Sequence, residues 1–395
     1  FKKIQMNFLN FDDNKKKLMY VFENKKLKDL LLKEIYLKKI KCFRKNIKNL
    51  QSLKKYDLII LCLGTFSNLY KLTGNRAIKK DYKELAITGQ VKHNIDNLNL
   101  ARKIDNLMNL NICRTGALTK NLEGQELVDF EKFIQNGVYI FTDDGKSLVD
   151  DSLADKAFKE VARLGGAIFQ HCEINCHTNP GDIAPSKLKN DLLAIEDFEE
   201  TSILKRDLKL VEKYGTRYHA QHISSKFSVE ILNEALYQKL PVTSEVTPHH
   251  LLKNNECMNI SDGKFKMYPP LRTEDDRQAL IEGLKKNIIQ VIATDHAPHP
   301  QETKDISFKL ASRGVVGLES SFPMLFTSGI FTIEELSSYL IENPKKILKS
   351  LGYKIDETTS NSWRECNKNF KTKSKYKNSV FENEKTIIER DKVVV

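Results

Sequence analysis

The chain has 395 residues, 40% of them hydrophobic and 29% charged, with 17 Gly, 10 Pro and a formal net charge of +12. So long and so apolar a chain has the material for one large core or two ordinary domains, which excludes disorder, collagen, a coiled coil and a disulfide mini-protein. The charge is uneven: of 64 Lys and Arg and 52 Asp and Glu, residues 1–100 hold 23 basic and 9 acidic, leaving a nearly neutral remainder.

Residues 1–100 read as a basic, Lys- and Asn-rich segment. Leu27, Leu30, Leu31, Ile35, Leu37 and Ile40 predict an amphipathic helix over about 25–48 with a solvated basic face, and Asp57 to Thr65 (DLIILCLGT) reads as a buried strand. From about 110, short apolar runs alternate with helical patterns. Strands are expected at Asn111–Thr115, Val138–Thr142, Ala167–His171, Arg217–His222, Pro241–Val246 and Ile289–Thr294. Helices are expected at Leu148–Leu164, Asp191–Tyr214, Ser228–Gln238 and Glu274–Lys286, and Thr332 with Glu335 forms a capping box for one more through Ile341. This alternation predicts parallel strands with crossover helices, and six or more such units favour a closed (β/α)8 TIM-like barrel over 101–350, its first strand or strands atypical or missing. Residues 351–395 form a polar C-terminal segment expected to pack on that body.

No apolar run reaches the roughly 18 residues that span a bilayer, and no signal peptide is expected; the first residue, Phe1 rather than Met, suggests a fragment or a processed chain. Seven scattered cysteines without a CxxC pair fit reduced thiols and a cytoplasmic location. Neither a membrane nor a nucleic-acid partner is expected.

Chemistry-bearing residues cluster at the C-terminal ends of the predicted strands: Asp143 and Asp144 in YIFTDDG, His171 in AIFQHCE, His219 and His222 in RYHAQHIS, and Asp295, His296 and His299 in VIATDHAPH. Barrel enzymes assemble their sites on that face. Taken singly, each has a plain structural explanation as a turn or a hydrogen-bonded loop residue. His249 and His250 read as packed residues, Cys172, Cys176 and His177 as loop residues, and His93 as surface. Their joint occurrence singles out Asp144, His171, His222 and Asp295 as metal ligands. Imidazoles with carboxylates suit zinc with a water at an open position. An Asp beside that water can take its proton and pass it to a leaving nitrogen. The pattern points to metal-assisted hydrolysis of an amide-like bond.

These segments resemble the amidohydrolase superfamily, and within it the bacterial-type (class I) dihydroorotases. The resemblance is carried by GALTKNLEG (116–124), FTDDG (141–145), HCE (171–173), EVTPHHL (245–251), PPLRTEDDRQALIEGL (269–284), ATDHAPH (293–299), GLES (317–320) and NPKKIL (343–348), with a weaker echo in KSKYKNSVFE (373–382). It implies the reversible interconversion of L-dihydroorotate and N-carbamoyl-L-aspartate in pyrimidine biosynthesis. Carried over by residue, it makes His171 and His222 ligands of one zinc and the Asp of FTDDG a bridge between two, with Asp144 favoured and Asp143 the alternative. Asp295 becomes a metal ligand and general base, and His299 a substrate-binding residue. The implied cofactor is one or two zinc ions, and the implied partners are the small-molecule substrate and aspartate carbamoyltransferase or a second copy in a homodimer.

The chain departs from that family in three places. It has no HxH, although the family's first barrel strand ends in His-x-His-x-x-Arg, which supplies two ligands and an Arg for the substrate carboxylate. It lacks the Pro-Asn-Thr element, and it has Tyr268 where an Asn is usual. The expected functions are a dihydroorotase whose proper first strand is absent or scrambled, a non-catalytic scaffold for aspartate carbamoyltransferase, or another cyclic amidase of the allantoinase or dihydropyrimidinase kind.

Overall fold

The structure is a computed structural model that describes residues 9–10, 18–22, 58–62, 86–92, 95–108, 112–174, 197–258, 263–308, 310–355 and 363–390. The helix expected over 25–48, His93, Cys176 and His177 lie outside these residues. The chain divides into two units, residues 1–82 with 102–108, and residues 83–101 with 109–395.

In the first unit, strands β1 (Leu9–Asn10), β2 (Leu18–Phe22) and β3 (Leu58–Cys62) form a sheet in that order. β1 is antiparallel to β2, and β2 is parallel to β3. The apolar run LIILC thus forms the strand that its composition predicts.

The second unit is built on a parallel sheet whose strands lie side by side in sequence order: β4 (Ala86–Lys92), β5 (Ile112–Gly116), β6 (Ile140–Phe141), β7 (Ala167–His171), β8 (Arg217–Gln221), β9 (Val242–Val246) and β10 (Val291–Ile292). Strict sequence order with helical crossovers is the topology of a TIM-type barrel wall. The helices are α1 (Ile95–Met108, of which residues 95–101 belong to this unit), α2 (Phe130–Gln135), α3 (Asp151–Arg163), α4 (Asp197–Tyr214), α5 (Lys226–Tyr237), α6 (Pro248–Leu252), α7 (Glu274–Lys285), α8 (Ser321–Thr327), α9 (Ile333–Ser337) and α10 (Asn343–Ser350).

Local chemistry sets the helix starts. Asp150 caps α3 through Leu153 N, Ser225 caps α5, and Thr273 with Asp276 closes a capping box on α7, each satisfying amides that a helix N-terminus leaves unpaired. Helix α3 buries Ala154, Ala157, Phe158 and Val161, a stripe at helical spacing. The helix expected from Thr332 to Ile341 is α-helical only to Ser337, continues as a widened π-turn to Glu342, and leads into α10. Pro344 explains the widening, because it has no N–H for the preceding turn and its ring crowds that turn's carbonyl.

Strand β6 is shorter than its apolar run because the Tyr353 hydroxyl takes the Tyr139 and Ile140 amides, at 3.0 and 3.3 Å. Two packing layers follow from strand alternation. Phe141, Ile168, Tyr218, Ala220, Val242, Val246 and Ile292 face the crossover helices in the main core. Cys113, Ile140, Ala167 and Phe169 face the other way and pack on Leu348 and Leu351 at the end of α10. The C-terminal strands β11 (Trp363–Asn369) and β12 (Lys385–Arg390) pair antiparallel. Between them, Phe370, Val380 and Phe381 pack with Met267, Leu271, Val315 and Met324. Among the described residues no helix is long and apolar enough to cross a membrane.

Candidate functional site

Strand parity decides which side chains meet. On β7, Ala167 and Phe169 lie on the face away from the crossover helices, and period-2 alternation puts His171 there too. Gln170, on the opposite face, donates to Asp207 of α4 at 3.1 Å. The same alternation carries from Ile140 through Thr142 to Asp144, and from Val291 to Asp295. Asp143, of the other parity, accepts from Leu118 N at 2.8 Å, Thr119 N at 2.9 Å and Thr119 Oγ1 at 2.5 Å. It is a structural anchor of the segment after β5, while Asp144 is left to the site.

Three of the four residues singled out in the sequence leave their strands with left-handed backbone: Asp144 (φ 35°), His222 (φ 31°) and Asp295 (φ 43°). Such φ values are costly for residues with a Cβ, and they concentrate at functional sites, where the fold imposes them. For His222 the turn matters most, because straight continuation of β8 would give it the parity of Tyr218 and Ala220, which face the helices.

His171 Nδ1 and His222 Nε2 come within 3.0 Å of each other, and their rings meet edge to face at 4.7 Å. His171 Nε2 is buried without a hydrogen-bond partner. Burial, then the charges of His222 and Arg313, holds the His171 imidazole well below its ordinary pKa, so it is neutral. Asp144 is exposed by surface area, yet the protein packed around its carboxyl raises its pKa, and the charges of Asp295 and Glu245 raise it further. Asp295 is raised by burial and by Glu245, against the lowering influence of His222 and His299. The four residues therefore share one electrostatic neighbourhood.

Around them lies a supporting layer. His219 stacks on Phe169 and is held by Thr243 Oγ1 at 2.7 Å and Glu245 Oε2 at 3.1 Å. Burial alone would raise Glu245, but the His219 hydrogen bond and charge overcome it and keep the carboxylate ionised. His250 bridges Thr247 Oγ1 at 2.7 Å and the Pro269 and Pro270 carbonyls at 3.2 Å, so this buried residue braces the 269–272 segment. His296 Nδ1 accepts from Gly317 N and Leu318 N at 3.3 and 3.2 Å. His299 Nε2 lies 2.5 Å from the Arg313 carbonyl, so Nε2 carries the proton and Nδ1 is an acceptor.

Two residues at the site were not singled out as functional by sequence reasoning. Tyr268 lays its ring against His171 at 4.8 Å, and Arg313 stacks over Tyr268 with its guanidinium carbon 4.2 Å from the ring centroid. Tyr268 was visible only as a substitution beside two prolines. Nothing in the spacing marks Arg313, which reaches the site from a loop.

The donor types suit a divalent ion, and two imidazole nitrogens converge. Among the described residues, however, no group of three or more His, Cys, Asp or Glu is arranged to hold a metal ion. The contact the described residues show is that of His171 Nδ1 with His222 Nε2.

Residues 85–228 match the family model described as Dihydro-orotase-like. Over 251 residues the chain is 39% identical to the Dihydroorotase of Bacillus cytotoxicus and to that of Bacillus cereus (strain AH820), covering 62% of this chain and 59% of each relative. The chain thus spans under two thirds of the length of these relatives. The fold is similar to that of an L-hydantoinase (dihydropyrimidinase) from Arthrobacter aurescens, with a TM-score of 0.62 and 21% identity over 74% of this chain and 71% of that one. It is also similar to a dihydropyrimidinase from Brevibacillus agri NCHU1002, with a TM-score of 0.56 and 16% identity over 78% and 72%. At these identities the likeness is one of fold.

Proposed function

We propose that the chain is a dihydro-orotase-like protein, a reading supported by the family-model match over residues 85–228 and the 39% identity to bacterial dihydroorotases, and that its site acts on the ring amide of L-dihydroorotate, opening it reversibly to N-carbamoyl-L-aspartate. The observation that carries this reading is the convergence of Asp144, His171, His222 and Asp295 from four separate strand ends into one electrostatic neighbourhood.

In this reading Asp295 handles the proton. Its raised pKa makes it a stronger base than an ordinary Asp, able to accept the proton of a water attacking the ring carbonyl and return it to the departing ring nitrogen. Burial and Asp295, with Glu245, raise Asp144 in turn, so each of the two aspartates disfavours charge on the cluster in the same direction. Neutral His171 and Tyr268 wall the site on the β7 side, and His299 presents an acceptor nitrogen toward substrate. Zinc is the ion the reading implies, with His171 and His222 as its donors. Two donors do not complete a site, and metal activation of water requires more ligands than these residues supply.

The test is to incubate the protein with L-dihydroorotate, with and without added zinc, and follow loss of the ring amide. Ring opening above the uncatalysed rate, abolished in Asp295→Asn, supports the proposal. The lack of an HxH in the sequence motivates a second reading: a non-catalytic dihydroorotase-like scaffold that associates with aspartate carbamoyltransferase. Ring binding without turnover, together with co-sedimentation with that transferase, would select it. Turnover of hydantoin or dihydrouracil in preference to dihydroorotate would move the chain to another cyclic amidase.

A further inference from the structure

The proposed substrate carries a carboxylate beside its ring amide, and bringing it out of water calls for a cationic, preferably bidentate, partner. No Arg follows an HxH in this chain, because no HxH exists. We infer that Arg313, stacked on Tyr268 at the mouth of the site, is the anchor for the substrate carboxylate.

Three layers run from solvent to the site: exposed Arg313, half-buried Tyr268 and buried His171. Stacking on a ring engages the face of a guanidinium, whereas a carboxylate is gripped by its edge N–H groups, so both contacts are compatible in one side chain. The charge of Arg313 is felt inside the site, where it lowers the pKa of both His171 and Glu173.

The segment that carries Arg313 is held in place from several sides. Gly314 N donates to Lys266 O at 2.9 Å. The buried Lys304 ammonium donates to the carbonyls of Lys266, Ser312 and Gly314 at 3.0, 2.8 and 3.0 Å. Asn378 Nδ2 donates to Ala297 O at 3.1 Å and Gly314 O at 3.3 Å, and His299 holds the Arg313 carbonyl itself. A backbone fixed on both sides of Arg313, and tied to the loop that carries His299, gives an anchor a defined position and lowers the ordering cost of binding.

This assignment rests on the cyclic-amide reading, and the experiment separates the two. Binding of L-dihydroorotate and of 5,6-dihydrouracil, the related ring without a carboxylate, is measured by calorimetry on the full chain and on Arg313→Met and Arg313→Lys. The parent is expected to prefer the carboxylated ring by about 10-fold or more. Arg313→Met should lose that preference with dihydrouracil affinity unaltered, and Arg313→Lys should keep part of it. A preference undiminished in Arg313→Met overturns the anchor while leaving the ring reading standing. Binding of neither ring by the parent overturns both.

Discussion

His171 Nδ1 and His222 Nε2 lie 3.0 Å apart, at and just beyond the ends of the neighbouring parallel strands β7 and β8. Parity brings the first to this point and a left-handed backbone turn brings the second. The pair can share a proton or a cation, and its chemistry depends on what else joins it.

Two converging donors hold zinc far less firmly than the three or four of an ordinary protein site. Protein saturated with zinc and then dialysed is therefore expected to retain less than about one equivalent, and His171→Ala to lose what remains. Metal analysis after dialysis checks this; two equivalents surviving would contradict it.

The adjacent aspartates should respond oppositely to substitution. Asp143→Ala strands the buried Leu118 and Thr119 amides and the Thr119 hydroxyl, a loss of about 2–4 kcal/mol in unfolding free energy. Asp144→Asn removes a carboxyl that burial and the Asp295 and Glu245 charges already hold against ionisation. Its urea midpoint should equal or exceed that of the parent. Equal losses in the two variants would refute the division of labour drawn from strand parity.

Burial pushes the His250 imidazole down to about 3, against an ordinary value of 6.5. The unfolded chain then binds a proton more readily than the folded one between those values. Stability is full above about pH 6.5 and falls as pH drops toward 3, by at most about 1.4 kcal/mol per pH unit for this group. His249 and His171, also held well below their ordinary values, add to the same acid loss. Urea melts at pH 7 and pH 5 measure it, and His250→Gln should flatten the difference; an unchanged slope would assign the acid sensitivity elsewhere.

Gly314 has φ +111°, and a Cβ there would come 2.5 Å from Ala297 Cβ. Gly314→Ala is expected to cost about 1–3 kcal/mol through backbone strain and the clash. It should also weaken dihydroorotate binding, since the loop that positions Arg313 has to move. Stability lost with binding intact would separate the glycine's structural role from the anchor.

Much of the barrel was legible along the chain because its strands are short apolar runs that end in polar clusters, and its helices carry caps. The runs ending at His171 and Val246 became β7 and β9, and Thr273 opened α7. The shorter helices α2, α6 and α8 passed unnoticed, since five to seven residues give little periodicity to read. The choice between Asp143 and Asp144 was open in the motif, because adjacent residues differ only in the face they present. Hydrogen bonding to Leu118 and Thr119 tells the two apart.

By itself the sequence determined the alternating βα architecture, the strand-end positions of Asp144, His171, His222 and Asp295, and the absence of an HxH, because pattern, caps and composition are local properties. The tertiary structure decided which nitrogens converge, that Glu245 is spent on His219, and that Tyr268 lies against His171 with Arg313 stacked over Tyr268. Those relations join residues 45 or more positions apart through Arg313, Tyr268 and His171, and 26 apart through Glu245 and His219. No local pattern encodes such distances; the packing of strands, loops and their left-handed turns sets them.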